Sequence, residues 1–173
     1  MTGCTIRAAR PEDADQICVI WNDVIANTTI TFTNTVKTIK DITDMQDARP
    51  TRFWVAAQGQ TIAGFATFGP FRSGPGYATT AEHSIMIAPS FQGQNIGRDL
   101  MQALLGSAQS EGIHVMVAAI SGSNANAVQF HAALGFEPVG HLPQVGRKKG
   151  QFLDLILLQK ILGPDPDKTP RGA

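Results

Sequence analysis

Glu82 and His83 stand side by side near the start of an apolar run, Ser84-Ile85-Met86-Ile87. The chain then turns through Pro89-Ser90-Phe91-Gln92-Gly93-Gln94-Asn95 into Ile96-Gly97-Arg98. A carboxylate at such a place can take a proton from an incoming nucleophile. Small residues where a strand turns into a helix let backbone N–H groups approach a ligand closely. The first amides of a helix have no partner within it, and that end carries partial positive charge. Together they form an anion site suited to a pyrophosphate. There is no GxxxxGK[ST] and no GxGxxG after the first strand, which disfavours ATP and NAD. A glycine turn that merely starts a helix has the same spelling, so the turn alone does not decide.

Alternation along the strand puts Glu82, Ser84 and Met86 on one face and His83, Ile85 and Ile87 on the other. His83 therefore does not share the face of Glu82, and its plain reading is a packed, hydrogen-bonded histidine. His131, beside Phe130 in a helical stretch, has the same default; His114 and His141 lack context. The four histidines are not closely paired and no acidic cluster accompanies them, so no metal is expected. Cys4 and Cys18 lack a CxxC spacing and fall before or within the first helix, as packing residues rather than an acyl-carrying nucleophile. An α-carboxylate calls for an arginine or backbone donors, and Arg72 is the candidate. Lys148 and Lys149 follow Gly146 as a basic loop that suits a ligand, a partner subunit or plain solvent.

The elements that must position these residues read off in order. Thr5–Ala8 is a short strand. Pro11, Glu12 and Asp13 open a helix whose apolar face is Ile17, Ile20, Trp21, Val24 and Ile25. A weaker helix carries Ile39, Ile42 and Met45. Phe53–Ala57 and Ile62–Phe68 form a hairpin about Gly59, and Glu82–Ile87 is the next strand. Leu100, Met101, Leu104, Leu105 and Ala108 mark a helix from about Ile96 that stops near Gly112. Val115–Ile120 is apolar throughout, hence central and covered on both faces. Ala125–Leu134 is a helix ended by Gly135, and Val139–Leu142 and Phe152–Ile161 close a mixed α/β sheet with helices on both sides. At 173 residues with 43% hydrophobic and 16% charged side chains, the chain suits one globular core. Fourteen basic and fourteen acidic residues cancel, which removes any whole-molecule pull toward nucleic acid or an anionic membrane. No run approaches the roughly 18 apolar residues of a membrane span, and the N-terminus lacks an apolar signal core, so the cytoplasm is expected. Gly163–Ala173 reads as a mobile tail.

The segment Gln92-Gly93-Gln94-Asn95-Ile96-Gly97 resembles the Q/R-x-x-G-x-G/A acetyl-CoA signature of the GNAT superfamily of N-acetyltransferases. TAEHSIMI, HVMVAAISGSNANAVQFHAALGFEPVGHLPQVG and GQFLDLILLQ resemble its branch of phosphinothricin and methionine sulfoximine or sulfone acetyltransferases, over about Ile6 to Lys160. The resemblance implies a single GNAT domain over residues 1–162, a mostly antiparallel mixed sheet with helices on both faces, and a flexible tail over 163–173. It implies acetyl-CoA as cosubstrate and direct transfer, in a ternary complex, to the α-amine of a small L-amino acid or toxic analogue. Ile85, Met86 and Ile87 would bond the pantetheine arm; Gly93, Gln94, Asn95, Ile96, Gly97 and Arg98 would wrap the pyrophosphate; Asn124 would touch the thiol end. Glu82 would be general base, acting through a water, and His131 would donate a proton to the thiol or position it. Phe32, Arg72, Gly76, Tyr77 and His83 would line the substrate side. Asn95 stands where the family has glycine, and Met86 where this branch commonly has tyrosine. Relatives are commonly homodimers. A protein or peptide acetyltransferase and a non-catalytic acyl-CoA-binding sensor remain the alternatives.

Overall fold

Strands and helices follow the expected order through the computed structural model, which describes residues 3–163. They are β1 Thr5–Ala8, α1 Ala14–Asn27, α2 Ile39–Ala48, β2 Phe53–Gln58, β3 Thr61–Pro70, β4 Thr80–Ile87, α3 Ile96–Ser110, β5 Val115–Ser121, α4 Ala125–Ala133, β6 Glu137–Lys148 and β7 Gln151–Ile161. Apart from Gly163, the tail expected over 163–173 lies outside the described residues. One sheet carries the strands in the order β1-β2-β3-β4-β5-β7-β6. Every neighbouring pair is antiparallel except β4 with β5.

Local chemistry explains the elements. Asp13 ends the 3₁₀ turn that leads into α1, its carboxylate held by the two Arg7 guanidinium nitrogens at 2.7 and 2.8 Å and by the Arg10 amide. Thr38 and Asp41 cap α2 reciprocally. Ile17, Trp21 and Ile25 of α1 pack with Ile42 of α2 and with Phe53, Val55 and Phe65 on one face of the sheet. Leu100, Met101, Leu104 and Ala108 of α3 cover the other face with Phe68, Met116 and Leu158. β5, predicted central from its uniform apolarity, lies between β4 and β7 with most of its side chains buried.

The sixth strand differs from expectation in extent, whereas β7 matches the expected Phe152–Ile161 to within one residue. β6 runs to Lys148, well past Leu142. Pro138, Gly140, Pro143 and Gly146 read as strand breakers, yet β6 is the sheet's edge, where proline costs no ladder bond and irregular register is tolerated. The ladder shifts between Pro138 and Gly140 and between Leu142 and Gly146, and pairing resumes to the tip at Lys148↔Gln151.

Gly64 sits where β3 holds the end of β4, opposite Ile87. A Cβ there would lie 2.7 Å from the Met86 carbonyl oxygen and 2.6 Å from Ile87 Cδ1. Gly64→Ala should therefore destabilise the protein by about 1–3 kcal/mol, the usual cost of overpacking, in urea unfolding. An unchanged midpoint would show that β4 is free to move away from β3.

Candidate active site

The β4–β5 ladder lasts for three pairs, Thr80↔Val115, Ala81↔Met116 and Glu82↔Val117. β4 stays paired to β3 up to Ile87, and β5 stays paired to β7 up to Ser121. Between them the sheet opens like a V, and the β4 edge facing β5 has no strand partner from His83 onward among the described residues. Main-chain N–H and C=O groups are obligate hydrogen-bonders. The edge at Ile85, Met86 and Ile87 thus offers a short template for a ligand that carries amides of its own.

The open edge leads into the turn before α3. Gly93 and Asn95 take left-handed backbone, with φ of 77° and 62°. Asn is the side chain that tolerates this best, so the departure from glycine at residue 95 preserves the turn. The amides of Gly93, Gln94, Asn95, Ile96 and Gly97 have no acceptor among the described residues. With the positive end of α3 behind them and exposed Arg98 beside them, they make an anion-binding nest. Gly97 has a second use: a Cβ there would lie 3.3 Å from the Phe130 ring, so its absence lets α4 approach the start of α3.

Two residues in the V stand on opposite faces. Glu82 points to the α1/α2 side and is half-buried; burial alone pushes its carboxyl pKa above the ordinary 4.5. The segment between α1 and α2 crosses this side and ties the two arms of the V together. The Thr29 and Ser123 hydroxyls meet at 3.2 Å, and Lys148 Nζ, almost fully buried, donates to the Thr31 carbonyl at 2.8 Å. The Phe32 ring occupies the space a side chain at Gly146 would fill. None of these long-range ties had a local signal in the sequence.

His83 points to the other side, against α4. His131 Nδ1 lies 2.7 Å from the Ala127 carbonyl and so donates to it. Its Nε2 is then an acceptor, and His83 Nε2–H donates to it across 3.1 Å. Both rings are neutral: burial, then the neighbouring His131, lowers the His83 pKa to about 3, and burial lowers that of His131. His83 Nδ1 is left buried without a partner among the described residues. The rings stack at 5.0 Å, with Phe136 edge-on to both at 5.7 and 5.2 Å. Since α4 packs on β5 and β7 while His83 belongs to β4, this pair pins the V from below.

The structure places the remaining expected site residues as follows. His83, expected on the substrate side, is 8% exposed and faces away from Glu82. His131, expected either to donate a proton to the thiol or to position it, has Nδ1 on the Ala127 carbonyl and Nε2 against His83 Nε2, an arrangement that suits the positioning role. Asn124 caps α4 through Oδ1, which accepts from Ala127 N, so its Nδ2 remains available. Arg72, Gly76 and Tyr77 lie on the exposed loop between β3 and β4, with the Arg72 guanidinium over Phe71 and Tyr77 edge-on to the same ring. A cleft of about 280 Å³ beside this loop is lined by Arg52, Arg72, Tyr77 and Ile113 but not by Glu82. Among the described residues no group of three or more His, Cys, Asp and Glu could hold a metal ion, and no helix is long and apolar enough to cross a membrane.

Comparison with known proteins bears on this geometry. The model of the acetyltransferase (GNAT) family matches residues 21–136. The chain is 38% identical, over 165 residues, to the L-methionine sulfoximine/L-methionine sulfone acetyltransferase of Pseudomonas paraeruginosa, covering 92% of this chain and 95% of that one. It is 31% identical to a phosphinothricin N-acetyltransferase of Streptomyces coelicolor, with coverages of 91% and 95%. Among solved structures, the acetyltransferase yncA of Salmonella typhimurium, described with its cofactor acetyl-CoA, superposes with a TM-score of 0.89 at 34% identity, covering 94% of this chain and 98% of that one.

The neutral histidine pair sets a pH dependence of stability. His83 has a folded pKa of about 3 against an ordinary 6.5, so the unfolded chain binds the extra proton between those values. That contribution is complete above pH 6.5 and is lost as pH falls toward 3. Each such group lowers stability by up to about 1.4 kcal/mol per pH unit in its window. Unfolding free energies measured from pH 7 to 4 should fall less steeply for His83→Phe than for the native protein. Parallel curves would mean the ring is not buried neutral.

Proposed function

The chain belongs to the acetyltransferase (GNAT) family, and from that premise we propose that it uses acetyl-CoA to acetylate the α-amine of a small L-amino acid or toxic analogue such as methionine sulfoximine, methionine sulfone or phosphinothricin. The observation that carries this reading is the open β4 edge, which runs from the amide nest of Gly93–Gly97 to the carboxylate of Glu82. The relatives reported above are named for free amino acids and their analogues, which favours a small acceptor over a peptide and an enzyme over a sensor.

These residues fit acetyl-CoA. The amides of Gly93, Gln94, Asn95, Ile96 and Gly97, with Arg98, match a pyrophosphate. Ile85, Met86 and Ile87 present main-chain groups to the amides of a pantetheine arm. Acetyl-CoA supplies an activated acetyl group and a thiolate leaving group. Glu82 faces the acceptor side and draws the proton from the substrate ammonium through a water, because alkylammonium ions are weak acids near neutral pH. Burial raises the carboxyl pKa, which strengthens it as a base. Asn124 Nδ2 is the donor at the thiol end, and the His83–His131 pair sets the position of α4 that carries it. Phe32 and Met86 wall the acceptor side chain with apolar surface. Arg72, Gly76 and Tyr77 stand at the mouth. Direct transfer in a ternary complex requires no residue to carry the acetyl group.

We also propose a homodimer working in the cytoplasm, where acetyl-CoA is available. The exposed Val139, Val145 and Phe152 of the β6–β7 hairpin support self-association. Sedimentation at micromolar concentration should return twice the chain mass, and Phe152→Glu should halve it; a native monomer would refute the dimer.

Glu82→Gln tests the mechanism. With methionine sulfone or phosphinothricin as acceptor, thiol release should fall by roughly 10²–10⁴-fold while CoA affinity stays within about twofold. In the native enzyme kcat/KM should drop on an acid limb lying above pH 4.5, and that limb should vanish in the variant. An unchanged rate and profile would remove Glu82 from the reaction, and CoA binding without turnover of any acceptor would return the protein to the sensor class.

A further inference from the structure

Arg49 is the C-cap residue of α2. Its guanidinium is half-buried and has neither a hydrogen bond nor an ion pair to any described residue. An unpaired charge withdrawn from water is costly, and such groups are normally matched by a counter-ion. The guanidinium lies against Gly69 of β3, where a Cβ would come within 2.8 Å of Nη2 and 3.0 Å of Cζ. A side chain at residue 69 would displace the flexible end of Arg49 from this position.

Gly69 is the cross-strand partner of Glu82. Opposed residues on antiparallel strands direct their Cβ atoms to the same face, about 4.5–5.5 Å apart. The Arg49 guanidinium therefore lies on the α1/α2 face beside the residue that pairs with Glu82, without a charge contact to the Glu82 carboxylate itself. An α-amino acid carries amine and carboxylate on one carbon, so a carboxylate on Arg49 brings its amine to the vicinity of Glu82.

Other cations nearby are committed. Arg52 Nε bonds Glu111 at 2.6 Å and its guanidinium lies over the Phe68 ring, while its charge, after burial, lowers the Arg49 pKa. Arg7 is held by Asp13. Lys148 Nζ is spent on the Thr31 carbonyl. Arg72 is exposed on its loop, stacked on Phe71. We propose that Arg49, seated in the space left by Gly69, is the receptor for the α-carboxylate of the acceptor and selects amino acids over simple amines. Arg72 then serves the mouth of the site rather than its floor. This inference rests on the amino-acid acetyltransferase reading above.

The test compares methionine sulfone with its α-carboxamide, which keeps the amine and side chain but lacks the negative charge. Each variant is referred to the native full-length enzyme on the same acceptor, so the intrinsic reactivity of the two amines cancels. Arg49→Met should lower kcat/KM for the acid by about 10²-fold, the scale of a lost charge-assisted hydrogen bond, and leave the amide within about threefold. Arg49→Lys should fall between, because it keeps charge but loses the planar fork. Gly69→Ala should give the same acid-selective loss with the arginine intact, which covers the case that Arg49→Met folds poorly. Equal losses on acid and amide in both variants would overturn the proposal while leaving the acetyltransferase reading in place. An acid-selective loss in Arg72→Ala but not in Arg49→Met would overturn it too. A native enzyme that acetylates neither compound nor any other amino acid would bring down both.

Discussion

The rest of the molecule depends on the early end of the β4–β5 ladder. After Glu82↔Val117 each strand keeps its outer partner and gives up the inner one. A sheet that opens in its middle leaves main-chain groups without partners, a cost a continuous sheet would avoid. The opening is held from both faces by contacts between residues far apart in sequence. On one face the α1–α2 segment reaches across to Ser123, Gly146 and Lys148; on the other, His131 of the β5 arm accepts a hydrogen bond from His83 of the β4 arm. The gap has a set width because neither arm can swing without breaking ties on both sides.

The same split separates two kinds of electrostatics. On the α4 side two imidazoles are buried against each other, and burial starves a charge on either of water, with His131 adding to the effect at His83. They work as neutral, tautomer-locked spacers. On the α1/α2 side burial acts on a carboxylate, and the same desolvation raises its basicity instead of silencing it. Adjacent residues of one strand thus receive opposite treatment, and strand alternation alone decides which goes where. Glu82 is left as the titrating group in the gap, consistent with its proposed part as the base.

Much of this was legible in the sequence, and the boundary of legibility is physical. The turn from Gln92 to Arg98 was readable because its signal is local: glycine and asparagine for left-handed backbone, followed at once by a helical apolar stripe. The apolar uniformity of β5 revealed a central strand. The facing of Glu82 and His83 followed from alternation; His83, a candidate for the substrate side, is buried by the fold against α4. The length of β6 was hidden because prolines and glycines carry different meaning at an edge than in a sheet's interior. Arg49 gave no signal at all: an arginine ending a surface helix is ordinary, and only the packing of α2 over β3 brings it to Glu82's neighbour.

Three glycines show where that hidden information was stored. Gly69, Gly97 and Gly146 do not take left-handed backbone, so their own conformational freedom does not explain them. Each is small for the sake of another residue: Gly69 admits the Arg49 guanidinium, Gly97 the Phe130 ring and Gly146 the Phe32 ring. Each admitted group belongs to a different element, α2, α4 or the α1–α2 segment, and each borders the gap between β4 and β5 or the residues lining it. A glycine of this kind is a negative imprint of its neighbour. From sequence it reads as a turn or a breaker; in the fold it marks where one element must come close to another, and here those marks gather around the gap.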